Sequence, residues 1–123
     1  MNLEVDWEQV YKDNLKKCKS CLQSMAAEMH NCDTLLGKIA GLPSTSEMKP
    51  LLHKQVQAQK QLLEDEKKKF LTEHLAFPKV CKDATEAEEK HAPAQDLASR
   101  TGAFLKGRRK ELSAHKNFLD QEA

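Results

Sequence analysis

The strongest constraint on this chain is a line of apolar and thiol side chains in its first third. Nine positions follow one another at spacings of 4, 3, 4, 3, 4, 3, 4 and 3 residues. Two turns of α-helix take about seven residues, so this seam predicts one long helix that packs against its neighbours. The seam consists of Tyr11, Leu15, Cys18, Leu22, Met25, Met29, Cys32, Leu36 and Ile39.

The boundaries of the first helix follow from its flanking residues. Asp6 is a candidate N-cap, although the helix could also begin nearer Asn2. Gly41 and Pro43 predict the end, since glycine is common just after a helix and proline cannot continue it. We therefore expect a helix over about residues 3–40.

A second helix is predicted over about residues 46–77. Its apolar positions recur every seven residues, while the partner positions of its seam are polar. Ser46 is a candidate N-cap, and Pro78 predicts a break after the last seam residue. The apolar positions are Val56, Leu63, Phe70 and Phe77, and the polar ones are Gln59, Glu66 and Glu73.

A third helix is predicted over about residues 83–121. Asp83 followed by Glu86 is close to a capping box and predicts the start. Pro93 then lies inside the helix and is expected to kink it. In the alternative, the second helix bends at Pro78, continues to about Lys90, and the third begins at Pro93. The seam of this helix includes Leu97, Phe104, Leu105, Leu112 and Leu119.

Three long amphipathic segments joined by short breaks predict an all-α fold, an elongated antiparallel three-helix bundle that occupies residues 1–123 as one domain. The composition agrees, because 32% of residues are charged, only 5% are aromatic, and glycine and proline occur four times each. A helix of about 38 residues is about 57 Å long, so we expect a rod.

Cys18, Cys21, His30 and Cys32 raise the question of a zinc site. On a straight helix Cys18 and Cys32 are roughly 21 Å apart, whereas zinc ligands lie about 2.0–2.3 Å from one ion. No glycine or proline interrupts residues 22–29. We therefore interpret the seam cysteines as buried packing residues. Cys21 and then Cys81 are predicted to be the most accessible thiols, and a redox role for either stays open.

No known catalytic spacing is present. The five histidines are scattered, no glycine-rich phosphate loop occurs, and a slender bundle offers little room for a pocket. We predict no enzymatic activity, no metal or cofactor, and no small-molecule substrate. Most histidines are expected to be solvated.

The basic run of residues 106–110 is the clearest charged segment. Net charge is +1, and no aromatic residues interleave with the basic run, so we do not expect nucleic acid or membrane as partners. The stem of Arg108 is expected to cover the core edge while its guanidinium lies in solvent. The candidate partner-binding residues are Lys106, Arg108, Arg109, Lys110, Pro78 and Cys81.

The segments LLHKQVQAQKQLLEDEKKKF (51–70) and LASRTGAFLKGRRKELSAHKNFLDQ (97–121) resemble the second and third helices of a spectrin repeat. The sequence departs from that family in three respects. Its tryptophan, Trp7, lies near the start of the first helix, Phe104 stands at an aromatic landmark often held by tryptophan, and Pro78 and Pro93 are additional. The resemblance to spectrin, plakin and nesprin repeats implies a non-catalytic spacer and docking module of a larger cytoskeletal or scaffold protein, joined to adjacent repeats by continuous helices.

Two other functions stay open. The chain could be a coiled-coil subunit of a tethering or kinetochore-type assembly, with the polar seam of the second helix facing partner chains. It could also bind anionic membrane or nucleic acid electrostatically through residues 106–110. No apolar run approaches about 20 residues and the N-terminus is acidic, so we expect a reducing, cytoplasmic compartment for the four cysteines.

Overall fold

The fold is an all-α bundle of three helices, which confirms the predicted class. The computed structural model describes residues 4–122, with side chains to residue 121. The helices are α1 (Trp7–Ala40), α2 (Met48–Leu75) and α3 (Ala84–Glu122), and no strand occurs in the described range. All three pairs of helices are in contact, and the most extensive interface joins α1 to α3.

The helices run up, down and up. Arg109 of α3 contacts Glu28 of α1, and Lys38 and Asp120, farther along the same two helices, approach to 3.8 Å. Contacts between α1 and α3 therefore advance in the same direction along both sequences, so these helices are parallel. α2 is antiparallel to α1. Lys60, in the first half of α2, pairs with Asp33 in the second half of α1, whereas the end of α2 lies beside the first half of α1.

Helix α1 starts at Trp7, four residues later than the predicted boundary. The side chain of Asp6 caps the helix by accepting a hydrogen bond from the backbone N–H of Gln9 at 3.2 Å. That bond satisfies one of the free donors of the first turn. Residues 4–6 are not helical, and Leu3, the first residue of the predicted helix, lies outside the described residues.

The connection after α1 is closed by a lysine. Gly41 is the C-cap with φ −78°, an ordinary right-handed conformation that does not depend on glycine. The ammonium of Lys49 in α2 donates to the backbone oxygens of Ala40 and Leu42 at 3.3 and 3.1 Å. These bonds satisfy carbonyls that a helix end leaves free and attach the start of α2 to the end of α1.

Helix α2 is shorter than predicted at both ends. It starts at Met48 after Glu47, which makes no side-chain cap bond, so Ser46 is not its N-cap. It ends at Leu75, two residues before the predicted Phe77. Residue 77 precedes Pro78, and the proline ring disfavours helical geometry at the residue before it.

Helix α3 starts at Ala84 and passes through Pro93 without ending. The N–H of Glu86 donates to the carboxylate of Asp83 at 2.9 Å, while the carboxylate of Glu86 accepts from the N–H of Lys82 at 2.6 Å. This reciprocal cap gives the start near Asp83 that the sequence favours, and excludes the alternative start at Pro93. Pro93 has no N–H to donate to the carbonyl of Glu89, four residues earlier. Both residues are exposed, so this carbonyl lies on the solvent side of the helix.

The core follows the helical seams, with one shift on α1. Every other residue of the predicted α1 seam (Tyr11, Cys18, Met25, Cys32, Ile39) is fully buried. The intervening residues Leu15, Leu22, Met29 and Leu36 are only half-buried. The second buried line on α1 instead contains Asn14, Glu28 and Leu35, on the side that contacts α3.

The seams of the other two helices lie in the same core. On α2, Val56, Leu63 and Phe70 are buried and Phe77, beyond its end, is half-buried. On α3, four residues are buried and one is half-buried; the buried residues are Leu97, Leu105, Leu112 and Leu119, and Phe104 is half-buried. A smaller cluster of Tyr11, Cys81, Ala87 and Ala94 closes the end of the bundle near the turn between α2 and α3.

Candidate functional site

The basic run does not form one surface. Arg108 points to α2, where its Nη1 donates to Gln59 Oε1 at 2.6 Å, and its guanidinium lies 5.4 Å from the centre of the Phe104 ring. Only 19% of its side chain is exposed, and Nη2, which donates to Glu111, lies on the exposed side. Gln59 lies in the interface between α2 and α3, and its side-chain oxygen stabilises the Arg108 guanidinium there by accepting a charge-assisted hydrogen bond.

Arg109 points instead to α1. Its Nε donates to Glu28 Oε1 at 2.9 Å, and the Glu28 side chain is only 9% exposed. Asn31 Nδ2 donates to the other carboxylate oxygen of Glu28 at 3.4 Å. Arg108 with Gln59 and Arg109 with Glu28 form what we call the central polar layer. Because two successive residues of α3 bond to different helices, this layer holds all three helices in register. Lys106 and Lys110 are exposed, and the Arg109 side chain is still 52% exposed beside Glu28.

The polar seam of α2 also contacts its own chain. Gln59 is buried and bonds to both Arg108 and Glu111, and the carboxylate of Glu73 accepts from Arg100 at 2.5 Å. Two of the three polar positions expected to face a partner therefore bond within the bundle.

The turn between α2 and α3 is attached to α1 through Tyr11 and Pro78. The Tyr11 hydroxyl donates to the Pro78 carbonyl at 2.9 Å, and the tyrosine ring meets Phe77 edge-on at 6.3 Å. Cys81, in the same turn, is only 4% exposed and packs beside Tyr11, so the prediction of an accessible thiol there is wrong. Folding of the turn against α1 covers it, which also removes Cys81 from the candidate docking residues.

The thiols lie in packing positions. Cys18 Sγ donates to the carbonyl of Ala94 at 3.6 Å, and Cys21 Sγ donates to that of Ala98 at 3.8 Å. Burial raises the pKa of the Cys18, Cys21 and Cys81 thiols, and raises the pKa of Cys32 to about 11, with Asp33 and Glu28 adding to the shift. A higher pKa lowers the thiolate fraction and with it the reactivity. Within residues 4–122, no three His, Cys, Asp or Glu side chains lie close enough together to hold a metal ion.

Two histidines lie at helix contacts, while His30 and His53 are exposed and His115 is half-buried. Asn14 Nδ2 donates to His91 Nδ1, and the His91 ring lies 5.3 Å from the Trp7 ring. His74 stacks on Phe70 at 5.7 Å. The sequence signal for the first contact is weak: Asn14 is three residues after Tyr11 and four before Cys18, so it shares their face.

A cleft of about 710 Å³ lies between the first half of α1 and the end of α2. We call it the lysine-rimmed groove. Its lining residues come from α1, the last turn of α2 and the following turn, and they are Lys12, Leu15, Lys16, Lys19, His74, Leu75, Phe77, Pro78 and Lys79. Pro78 is thus the member of the predicted docking set that reaches this groove.

The groove combines an apolar floor with a basic rim. No carboxylate lines it. Lys12 is 3.9 Å from Glu8, while Lys16, Lys19 and Lys79 make no ion pair with any described residue. These unpaired cations around apolar side chains favour an anionic, partly apolar ligand.

A smaller cleft of about 450 Å³ lies between α1 and α3. Its lining includes Glu28 and Arg109, which bond to each other, together with Lys38 and Lys116. Arg109 is paired with Glu28 and Lys38 with Asp120, so this cleft presents less unpaired charge than the lysine-rimmed groove.

None of the described helices is long and apolar enough to cross a bilayer. Comparison with known proteins gives no match: no family model, no curated protein and no solved structure matches this chain.

Proposed function

We propose that this chain is a non-catalytic scaffold module, a spectrin-like repeat that spaces and docks other proteins within a larger cytoskeletal or adaptor protein. The main support is the central polar layer. Arg108 bonds to α2 and Arg109 bonds to α1, so neighbouring residues of one helix hold the other two in register. The hydrophobic core continues along all three helices, and it also opposes sliding of one helix along another.

A spacer must keep its length, and here length comes from helix geometry. The shortest helix, α2, has 28 residues and is therefore about 42 Å long, while α3 has 39 residues and is about 58 Å long. Helices of this length packed along their whole seams resist bending, because bending would separate buried side chains. In such a module, specificity resides on the outer faces and in the grooves.

The test is the behaviour of the isolated chain in solution. We expect an elongated, highly helical monomer that unfolds in one cooperative step, measured by analytical ultracentrifugation, small-angle scattering and circular dichroism. Adding a chelator should leave the melting temperature unchanged. A chelator-induced loss of helix, or a compact species with strand content, would contradict the proposal.

A second candidate is a coiled-coil assembly subunit. It is supported by exposed leucines on the outside of α2, since Leu51 is 45% and Leu62 is 43% exposed. Eleven residues separate them, so they lie on nearly the same helix face. Self-association of the isolated chain that is lost when both leucines are changed to serine would favour this candidate over the monomeric spacer.

A further inference from the structure

We propose that the lysine-rimmed groove binds an acidic amphipathic α-helix of a partner protein, which lies against α1 and α2 as a fourth helix. This inference rests on the proposed docking function and specifies the partner class. It depends on three observations of the groove: its shape, its uncovered apolar side chains and its unpaired cations.

The shape suits a helix. On α1, Lys12, Leu15, Lys16 and Lys19 are spaced i, i+3, i+4 and i+7, so they form one face that extends for about 10 Å. The end of α2 and the turn after it form the opposite wall. Two antiparallel helices leave a groove between them that an amphipathic helix fills with its apolar face.

The apolar floor is incompletely covered. Leu75 is 79% exposed, the largest fraction among the exposed large apolar side chains of the described residues, and Val80, next to Lys79 in the chain, is 64% exposed. Leu15 and Phe77 are half-buried beside it. A helix lying in the groove would cover Leu75 and complete the burial of Leu15 and Phe77, which gives a partner an apolar anchor.

The rim selects the charge of that partner. Lys16, Lys19 and Lys79 lack ion-pair partners among the described residues, and no carboxylate lines the groove. His74 Nδ1 is buried there and has no hydrogen-bond partner in the described part of the chain. A helix with glutamates flanking a leucine face would pair with the lysines on both walls, whereas a basic helix would be repelled.

The arrangement favours a protein helix over a lipid surface. Its apolar side chains line a cleft between two walls, which matches the convex surface of a helix. A bilayer surface would need the apolar and basic groups on one outward-facing plane.

The probe is a stapled helical peptide of about 14 residues, with leucines at i, i+3, i+4 and i+7 and glutamates at the flanking positions. Two controls are a peptide with lysine in place of glutamate and a scrambled acidic peptide. Binding to the full chain is measured by fluorescence anisotropy and by amide chemical shifts. We expect only the first peptide to bind, with shifts concentrated around Leu15, Leu75 and Phe77.

The matched variants separate this groove from charge in general. Lys16→Glu with Lys19→Glu should weaken binding about tenfold or more, which is a loss of about 1.4 kcal/mol. Lys54→Glu with Lys69→Glu makes the same charge change at exposed positions outside the groove and should leave affinity unchanged. Leu75→Ser should also weaken binding, whereas Leu62→Ser should not. Circular dichroism of each variant verifies that it is folded.

Several outcomes would overturn the inference. They are equal binding of the scrambled peptide, an affinity that does not respond to the Lys16 and Lys19 changes, or no binding by a folded chain. Vesicles of phosphatidylcholine with and without phosphatidylserine are the final arm: binding to the anionic vesicles through Lys16 and Lys19, without peptide binding, would assign the groove to lipid. A folded, monomeric rod that binds no peptide would remove this inference and leave the scaffold proposal standing.

Discussion

The hydroxyl of Tyr11 donates a hydrogen bond to the carbonyl oxygen of Pro78 at 2.9 Å, although the two residues are 67 positions apart in the chain. Tyr11 is fully buried in the first helix, and Pro78 lies inside the connection between α2 and α3. This bond holds the α2–α3 turn against α1 and so positions one wall of the lysine-rimmed groove.

Changing Tyr11 to Phe should lower the free energy of unfolding by about 1 kcal/mol. The ring stays in its packing site, but the Pro78 carbonyl loses its donor in a partly buried position. Urea unfolding followed by circular dichroism measures the loss, and amide exchange should quicken in the turn. Thr34→Val, which removes an exposed hydroxyl bonded to His30, is the control and should change stability by less than about 0.5 kcal/mol. Equal stability of Tyr11→Phe and the wild type would show that the bond contributes nothing.

Adjacent leucines of α2 should respond very differently to truncation. Leu63 is fully buried and Leu62 is 43% exposed. Leu63→Ala should cost about 2–5 kcal/mol, because it removes buried methyl groups and leaves a cavity, whereas Leu62→Ala should cost less than about 1 kcal/mol. The two losses are measured from the midpoints of urea unfolding curves, provided that the dependence of the unfolding free energy on urea concentration is the same for both variants. Similar losses at the two positions would contradict the orientation of α2.

Gln59 and Arg108 should be energetically coupled. The Arg108 guanidinium donates to Gln59 in a partly buried interface, and its Nε is buried without a partner in the described chain. Gln59→Leu and Arg108→Met should each destabilise the bundle, since each leaves the other polar group without its partner. The double variant should lose about 1 kcal/mol less than the sum of the single losses.

The pair Lys60 and Asp33 is the control for that cycle. Their ion pair also joins two helices, at 2.7 Å, but the side chains are 29% and 54% exposed. Solvent screens such pairs, so alanine substitutions here should show much weaker coupling than the substitutions at Gln59 and Arg108. Additive losses at Gln59 and Arg108 would mean that the central polar layer does not act as a unit.

Stability should decline at alkaline pH through Cys32. In the folded chain its pKa is raised to about 11 from an ordinary value of 9.0, chiefly because burial disfavours the thiolate. A raised folded-state pKa gives a contribution that is complete below pH 9.0 and is lost as the pH rises toward 11. Cys32→Val should therefore flatten part of the decline in unfolding free energy across this window, measured by urea titrations at fixed pH.

Cys21→Val provides the comparison for Cys32, since that thiol is half-buried. It should remove less of the alkaline decline. A Cys32→Val chain whose stability falls between pH 9 and 11 as steeply as that of the wild type would contradict the assigned burial.

The fold class could be predicted from the sequence because helical periodicity is local. The spacing of Tyr11, Cys18, Met25 and their successors places them on one face whatever the partner is, and those residues are buried. The capping residues Asp6 and Asp83 act within three residues, so their roles were also open to prediction.

The second buried line of α1 could not be predicted in this way. Hydrophobicity predicts that Leu22 and Met29 are buried, yet Glu28 is more buried than either. Glu28 lies against α3, where Arg109 bonds to its carboxylate, and this partner is 81 residues away in the sequence. A helix with two neighbours buries both flanks of its seam, and the neighbour that lies closer decides which flank is covered more. For the same reason the basic run divides between two helices, with Arg108 against α2 and Arg109 against α1.

The sequence by itself determined that the chain forms three amphipathic helices, since side-chain periodicity and local capping act within a few residues. Only the tertiary structure decided that Cys81 is covered, that Arg108 is held by Gln59, and that lysines of α1 meet the apolar end of α2 in one groove. Each of these depends on which residues, distant in the chain, come into contact when the helices pack, and periodicity carries no information about that pairing.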